Sequence, residues 1–176
     1  EDGTVVIKIG GDAVLEIDKE YINWDKKDSL HYDISVNKSN TTSNTLSIDE
    51  NGKYAEYVVD VSSEKGTPDV ISMNDVLKAG RMSVDTSKFT YTITKNGQPV
   101  GNEYTAAVVA DENNDDNNHN YTLSVTLPKL GAGESCQIKY KYYYDTSLCY
   151  NAAPTSAVNN VTVESMNKDT LERVVD

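Results

Sequence analysis

Basic residues are scarce in this chain, with 16 Lys and Arg against 28 Asp and Glu among 176 residues and a formal net charge of −12. Binding to nucleic-acid phosphates requires clustered Lys and Arg. The composition therefore argues against a nucleic-acid partner and equally against an anionic membrane surface. No apolar run approaches the roughly 18 residues that a membrane-spanning helix needs, so we expect no membrane insertion.

Cysteine and histidine are also rare, with two of each. The sequence has no CxxC motif and no Cys/His cluster, which argues against a zinc site, and we expect neither a metal nor a cofactor. Cys136 and Cys149 flank a stretch that could form a hairpin, which leaves a disulfide open, because connectivity cannot be read from sequence.

The common catalytic motifs are missing as well. There is no serine elbow and no Gly-rich phosphate loop, so we expect no enzyme acting on an external substrate. Carboxylates are plentiful enough that composition leaves a glycosidase open, but nothing fixes a pair of them in a cleft. The Asp/Asn-rich segment 111–120 lacks the Gly and Glu of an EF-hand loop at the required positions, so we interpret it as a solvated loop.

The hydrophobic residues, 38% of the chain, come in short groups rich in Val, Ile, Thr and Tyr. These groups alternate apolar and polar residues, as half-buried strands do. We predict an all-β fold whose strands lie in TVVIKIG, AVLEIDKEY, LHYDISV, YVVDVSS, DVISMNDVL, KFTYTITK, EYTAAVVA, NYTLSVTL, SCQIKYKYYY and AVNNVTVES.

Turn residues separate the predicted strands. Asn51-Gly52 and Asn96-Gly97 can adopt the positive φ angles of tight hairpin turns. We predict one sandwich domain over 13–165, preceded by a strand or linker at 1–12 and followed at 166–176 by a linker or the start of a further module. Because the first residues lack the features of a signal peptide, we expect the chain to be a piece of a longer mature protein.

Three polar residues occupy strand positions where the alternation predicts an apolar side chain. Lys19 shares the strand parity of Leu15 and Ile17. Asp75 interrupts a row of apolar, same-parity residues in VISMNDVL, and Asn159 interrupts a similar row in AVNNVTVES. Burying a polar side chain is costly unless it has a partner or a function. We therefore consider these three residues together.

Burial favours a neutral lysine and a protonated aspartate, because desolvation disfavours both charged forms. A neutral Lys19 amine could attack the side-chain carbonyl of Asn159 while a protonated Asp75 polarises that carbonyl and relays protons, releasing ammonia. The product is an intramolecular isopeptide bond. Lys8 is an alternative amine, and two simpler interpretations stay open: solvent-exposed side chains, or a buried Lys19–Asp75 ion pair without a covalent bond.

The order of these landmarks resembles that of the isopeptide-forming domains of Gram-positive pilins and collagen-adhesin-like surface proteins. The similarity lies in the YVVDVSSEKGTPDVISMNDVL segment that contains Asp75, in TLPKLGAGESCQIKYKY, and in NNVTV near the end. Asn160 stands where the family usually has threonine. The resemblance implies a bacterial immunoglobulin-like β-sandwich at the cell surface, anchored to the cell wall through other parts of the protein.

The resemblance implies a stalk or display unit that contacts neighbouring modules of the same chain. An alternative is a module that binds a host extracellular protein, such as an immunoglobulin or a matrix protein. Tyr143 and Trp24 are the candidate ligand-binding residues, because aromatic rings are common at binding surfaces. A carbohydrate-binding role through Trp24 is a weaker alternative.

Overall fold

A computed structural model describes residues 4–8, 14–18, 34–42, 45–147, 157–167 and 172–175, with side chains placed in 34–42, 45–147 and 157–165. In this part of the chain there is no α-helix, and every strand pairing is antiparallel. Two sheets face each other, and their inner faces form the core. The predicted all-β sandwich is confirmed.

The first sheet, sheet I, has five strands. Their order across the sheet is β10 (Ala106–Ala110), β11 (Asn120–Leu127), β6 (Ile71–Lys78), β13 (Val158–Asn167) and β14 (Glu172–Val175). Strand β6 is central, and its residues alternate strictly between buried and exposed. Strand β14 lies in the C-terminal tail that the sequence left unassigned, and it pairs with the end of β13.

The opposing sheet, sheet II, is built around two 12-residue strands, β5 and β12. Its order is β3 (Ile34–Asn40), β5 (Gly52–Ser63), β12 (Glu134–Asp145), β8 (Thr90–Lys95) and β9 (Gln98–Pro99), with β4 (Ser47–Asp49) on β5 and β7 (Ser83–Val84) on β12. The sequence did not indicate β4, β7 and β9, because two or three residues are too few to display an alternation.

The remaining strands, β1 (Thr4–Lys8) and β2 (Val14–Asp18), form a separate two-stranded hairpin. They coincide with the two predicted apolar groups at the start of the sequence. Among the described residues, this hairpin has no hydrogen-bonded pairing with either sheet.

Tyrosine supplies much of the core. Tyr140, Tyr142 and Tyr144 point inward from β12, and Tyr57 packs against the first two with ring centroids 5.7 and 6.1 Å away. Around them lie the inward aliphatic residues of both sheets, among them Val59, Val61, Ile71, Met73, Leu77, Leu123, Leu127 and Ile138. Burial of such large rings brings hydroxyl groups into the interior, where a hydroxyl without a hydrogen-bond partner carries a free-energy cost of desolvation.

Candidate functional site

Asp75 is a carboxyl group in the middle of an apolar surface. It lies on the central strand of sheet I and points to the same side as Met73 and Leu77. Its register partners on the two adjacent strands are Leu123 and Val161. Its side chain is 0% exposed. The sequence prediction that Asp75 interrupts a core-facing row is confirmed by this burial, and the free-energy cost of desolvating a carboxyl group has to be offset by its partners.

The partner across the sandwich is Lys38. This residue lies on β3, at the edge of sheet II, and its Nζ is 2.6 Å from Oδ2 of Asp75. The Lys38 side chain is 14% exposed, and its ammonium group lies 4.9 Å from the centre of the Tyr57 ring. The contact therefore connects the two sheets through the core.

A second donor reaches the same carboxyl oxygen. The hydroxyl of Tyr140, on the central strand of sheet II, donates a hydrogen bond to Oδ2 of Asp75. Oδ1 of Asp75 is buried and has no hydrogen-bond partner. The two oxygens of one carboxyl group thus have different surroundings.

Asn159 completes the arrangement from the strand next to Asp75. On β13 it pairs with Leu77, while Val161 pairs with Asp75, so Asn159 is a diagonal neighbour of Asp75 on sheet I. Burial raises the pKa of both Asp75 and Tyr140, and the nearby Asn159 amide makes a smaller contribution that acts to lower them. Even so, its buried Nδ2 and Oδ1 form no hydrogen bond. This is unusual for a buried amide.

Burial dominates the protonation of the central pair. It raises the pKa of Asp75, although Lys38, Tyr140 and Asn159 each act to lower it. Burial also lowers the pKa of Lys38, against the opposing effect of Asp75. Both directions favour a neutral amine beside a protonated carboxyl group, because desolvation penalises the charged forms.

The structure brings together two of the predicted site residues, Asp75 and Asn159. Lys19 lies outside the described residues, and so does Trp24. Lys8 ends β1 and pairs with Val14 in register, but its side chain is not among those described. The assignment of the amine to Lys19 or Lys8 stays a prediction.

Lys38 was missed by the sequence analysis, although a signal for it existed. The alternation that places Ile34 and Val36 on the inner face reaches Lys38 one step later. The predicted strand stopped at Val36, because the following residues, NKSN, are typical of a turn. An extension of the strand parity by two residues would have added Lys38 to the set of inward polar positions.

Tyr143 is part of a separate surface cluster. Its side chain is 4% exposed, its hydroxyl donates to Asp49 at 2.8 Å, and its ring lies 5.6 Å from that of Tyr54. Lys141 binds the same Asp49 carboxylate and lies over the Tyr54 ring. These contacts leave little of the Tyr143 ring available to a ligand.

Among the residues the structure describes, no group of three or more His, Cys, Asp or Glu is placed to hold a metal ion. In the acidic loop 111–120, Asp111 accepts hydrogen bonds from Asn113, and Asp115 accepts them from Asn117 and Asn118. The same described part of the chain contains no helix long and apolar enough to span a bilayer.

No protein-family model and no curated protein matches this sequence. Among solved structures, a carbohydrate-binding module (CBM3a-L) from the scaffoldin cipA of Clostridium thermocellum is 15% identical, with 76% of this chain and 86% of that chain covered and a TM-score of 0.43. A family 3b carbohydrate-binding module from Clostridium clariflavum is 10% identical, with 74% and 89% covered and a TM-score of 0.44.

A third solved structure is the collagen-binding domain of a Staphylococcus aureus adhesin. It is 15% identical, covers 80% of this chain and 94% of its own length, and has a TM-score of 0.40. At these identities and TM-scores, none of the three structures carries information about the ligand or function of this chain.

Proposed function

We propose that this chain is a non-enzymatic module of a bacterial cell-surface protein, stabilised by an isopeptide bond between Lys38 and Asn159 and acting as a stalk or display unit. The observation that carries the proposal is the meeting of Lys38, Asp75 and the unpartnered Asn159 amide in the core. The sequence resemblance to pilin and adhesin domains supports the extracellular location.

The proposed reaction is an exchange of one amine for another. The neutral Nζ of Lys38 attacks Cγ of Asn159, the Nζ–Cγ bond forms, the Cγ–Nδ2 bond breaks, and ammonia leaves. One proton is transferred from Nζ to Nδ2 through Asp75, which also donates a hydrogen bond to the carbonyl oxygen in the transition state. The reaction occurs once per chain and consumes no external substrate.

The structural effect of the bond follows from the positions of its ends. Lys38 is on the first strand of sheet II and Asn159 is on β13 of sheet I, so the bond joins the sheets and closes a loop of more than a hundred residues. By the chain-entropy argument used for disulfides, closing such a loop contributes about 5 kcal/mol to stability. An amide bond, unlike a disulfide, is insensitive to reducing agents.

Intact mass in denaturant tests the proposal. We expect the wild-type chain to weigh less than its sequence by one ammonia, and the variants Lys38→Ala, Asp75→Ala and Asn159→Ala to keep the full mass. Lys19→Ala is the matched control and should retain the deficit. Proteolysis should release one branched peptide that contains both Lys38 and Asn159.

Other outcomes have definite meanings. A wild-type chain at its full sequence mass would overturn the crosslink. A deficit lost in Lys19→Ala and kept in Lys38→Ala would assign the amine to Lys19. Ammonia loss elsewhere in the chain would persist in Lys38→Ala, and fragmentation would locate it.

A host-protein-binding module is the second candidate, favoured by the outer face of sheet I. Val76, Val109 and Val158 are 39%, 65% and 51% exposed there. Thr122 lies between Val76 and Val109 in the pairing register. If this face binds an immunoglobulin or matrix protein, the purified ligand should be retained by the immobilised module and lost with Val109→Lys; equal retention by the variant would argue against this face.

A further inference from the structure

The hydroxyl of Tyr140 lies in the core, against the Asp75 carboxyl group. Tyr140 and Tyr142 both point inward from β12, and their ring centroids are 5.5 Å apart. The Tyr140 hydroxyl donates to Oδ2 of Asp75, whereas the Tyr142 hydroxyl is buried without a hydrogen-bond partner. Of these two neighbouring buried tyrosines, only Tyr140 forms a hydrogen bond with the carboxyl group.

Both donors at Asp75 approach the same oxygen. Lys38 and Tyr140 bind Oδ2, and Oδ1 receives no donor. In a neutral carboxyl group, the buried oxygen without a donor is the better site for the proton, because a protonated oxygen becomes a donor. The Asn159 amide on the adjacent strand also has a buried oxygen that lacks a donor.

The arrangement of donors thus distinguishes the two oxygens. With Oδ2 accepting from the lysine and the tyrosine, the proton of the neutral carboxyl group is directed to Oδ1, the oxygen left free to serve Asn159 on the adjacent strand. Without the tyrosine, the carboxyl group could rotate about its Cβ–Cγ bond, a broad torsion for aspartate. The ring of Tyr140 is itself held by stacking on Tyr57.

We propose that Tyr140 is a positioning residue for isopeptide formation: its hydroxyl fixes the Asp75 carboxyl group so that Oδ1 presents a proton to Asn159. This inference rests on the proposed crosslink. Tyr140 acts through Asp75 and contacts neither reacting atom in a hydrogen bond. Its contribution is to the rate of the reaction, and the bond once formed does not depend on it.

The pH dependence of the rate gives a readout that a purely structural role would not change. Asp75 must be protonated to act as an acid, so the rate falls as the pH rises through its pKa. The groups that influence Asp75 are Lys38 on β3, Asn159 on β13 and Tyr140 on β12, and its charge in turn affects three tyrosines, Tyr57, Tyr142 and Tyr144. The Tyr140 hydrogen bond lowers the pKa of Asp75, so its removal should shift the alkaline limb to higher pH.

The experiment compares Tyr140→Phe with Tyr142→Phe in the full chain. Each protein is prepared in denaturant, refolded by dilution and quenched at intervals, and the loss of ammonia is followed by intact mass; near-ultraviolet circular dichroism confirms folding. We expect Tyr140→Phe to form the bond at least about tenfold more slowly than wild type, since misplacing a reacting group is costly. Tyr142→Phe should stay within about twofold of wild type.

The possible failures are distinguishable. If the wild-type chain never loses ammonia, both the crosslink and the role of Tyr140 are overturned. If wild type loses ammonia and both Phe variants match its rate and pH profile, only the positioning role is overturned. A Tyr140→Phe chain that does not refold also overturns that role, because the hydroxyl would then be needed for the fold.

Discussion

At the scale of single residues, the core of this sandwich shows that its polar groups are not explained by stability alone. A buried ion pair gains little net free energy, because desolvation of the two charges offsets their attraction, and apolar residues of similar size often serve as well. Lys38 and Asp75 occupy positions where the sandwich could hold aliphatic side chains. The chemistry proposed between Lys38 and Asn159 would give these costly residues a function.

Burial also shifts the pKa of the Cys136 thiol, as it shifts those of Asp75 and Lys38. It is a free cysteine, 2% exposed on β12, and burial raises its pKa to about 12. Because only the thiolate reacts with alkylating agents, a pKa about three units above the value of 9.0 for an unperturbed thiol makes the thiolate about a thousandfold rarer.

We therefore expect iodoacetamide at pH 8 to label Cys136 at least about a thousandfold more slowly in the folded protein than in denaturant. Peptide mapping without reductant measures both rates, and a quantitatively labelled Cys136 peptide in denaturant shows a free thiol. Rapid labelling of the folded chain would contradict the burial of Cys136. If Cys136 is labelled in denaturant only after a reductant is added, it forms a disulfide. The other cysteine, Cys149, lies outside the described residues.

At the scale of strands and turns, local sequence predicted most of the elements. Asn96 and Gly97 have φ angles of 49° and 77°, as expected for the tight turn between β8 and β9. At Asn51-Gly52 only Gly52 has a positive φ. Both turns connect antiparallel strands. The turn at Asn96-Gly97 lies where it was predicted, whereas the pairing of Asp49 with Gly52 places the other turn at Glu50-Asn51, one residue earlier than predicted.

Gly66 is a turn residue whose importance depends on a distant segment. It has a φ of 93°, and a Cβ atom there would lie 2.9 Å from the backbone oxygen of Leu130. The same oxygen accepts a hydrogen bond from the backbone of Thr67, which holds this segment of the chain in place. Gly97 also has a positive φ, but its Cβ would have no neighbour within 4 Å.

These two glycines form a matched pair of substitutions. Gly97→Ala should cost about 1 kcal/mol, the ordinary penalty for a side chain in the left-handed region. Gly66→Ala should cost clearly more, because the steric conflict with Leu130 is added to the same backbone penalty. Urea unfolding in an Asn159→Ala background, which cannot crosslink, measures both values, and equal losses would refute the close approach at Gly66.

At the scale of the whole molecule, the proposed bond determines how the module carries tension. Force applied to the two ends of the chain would pass from β3 through the Lys38–Asn159 bond to β13. The residues between these positions, including most of both sheets, would lie outside the loaded path. A module built in this way transmits force without unfolding its core.

Single-molecule stretching between the termini tests this behaviour. The Lys38→Ala chain should release about 400 Å more contour length than the crosslinked chain, since about 120 residues extend by up to about 3.6 Å each. Lys19→Ala should behave like the wild type. An identical extension of wild type and Lys38→Ala would show that no bond encloses these residues.

The alternation of apolar and polar residues was sufficient to predict the all-β fold, most of the strands, and the inward orientation of Asp75 and Asn159, because side-chain direction in a strand is a local property with a period of two. The contact between Lys38, the amine of the proposed crosslink, and Asp75 could not be predicted from local sequence. Lys38 meets Asp75 because β3 pairs with β5 at one edge of sheet II, and the sandwich then places that edge over β6 and β13. Such contacts between residues far apart in sequence depend on register and on the stacking of the sheets, which only the tertiary structure determines.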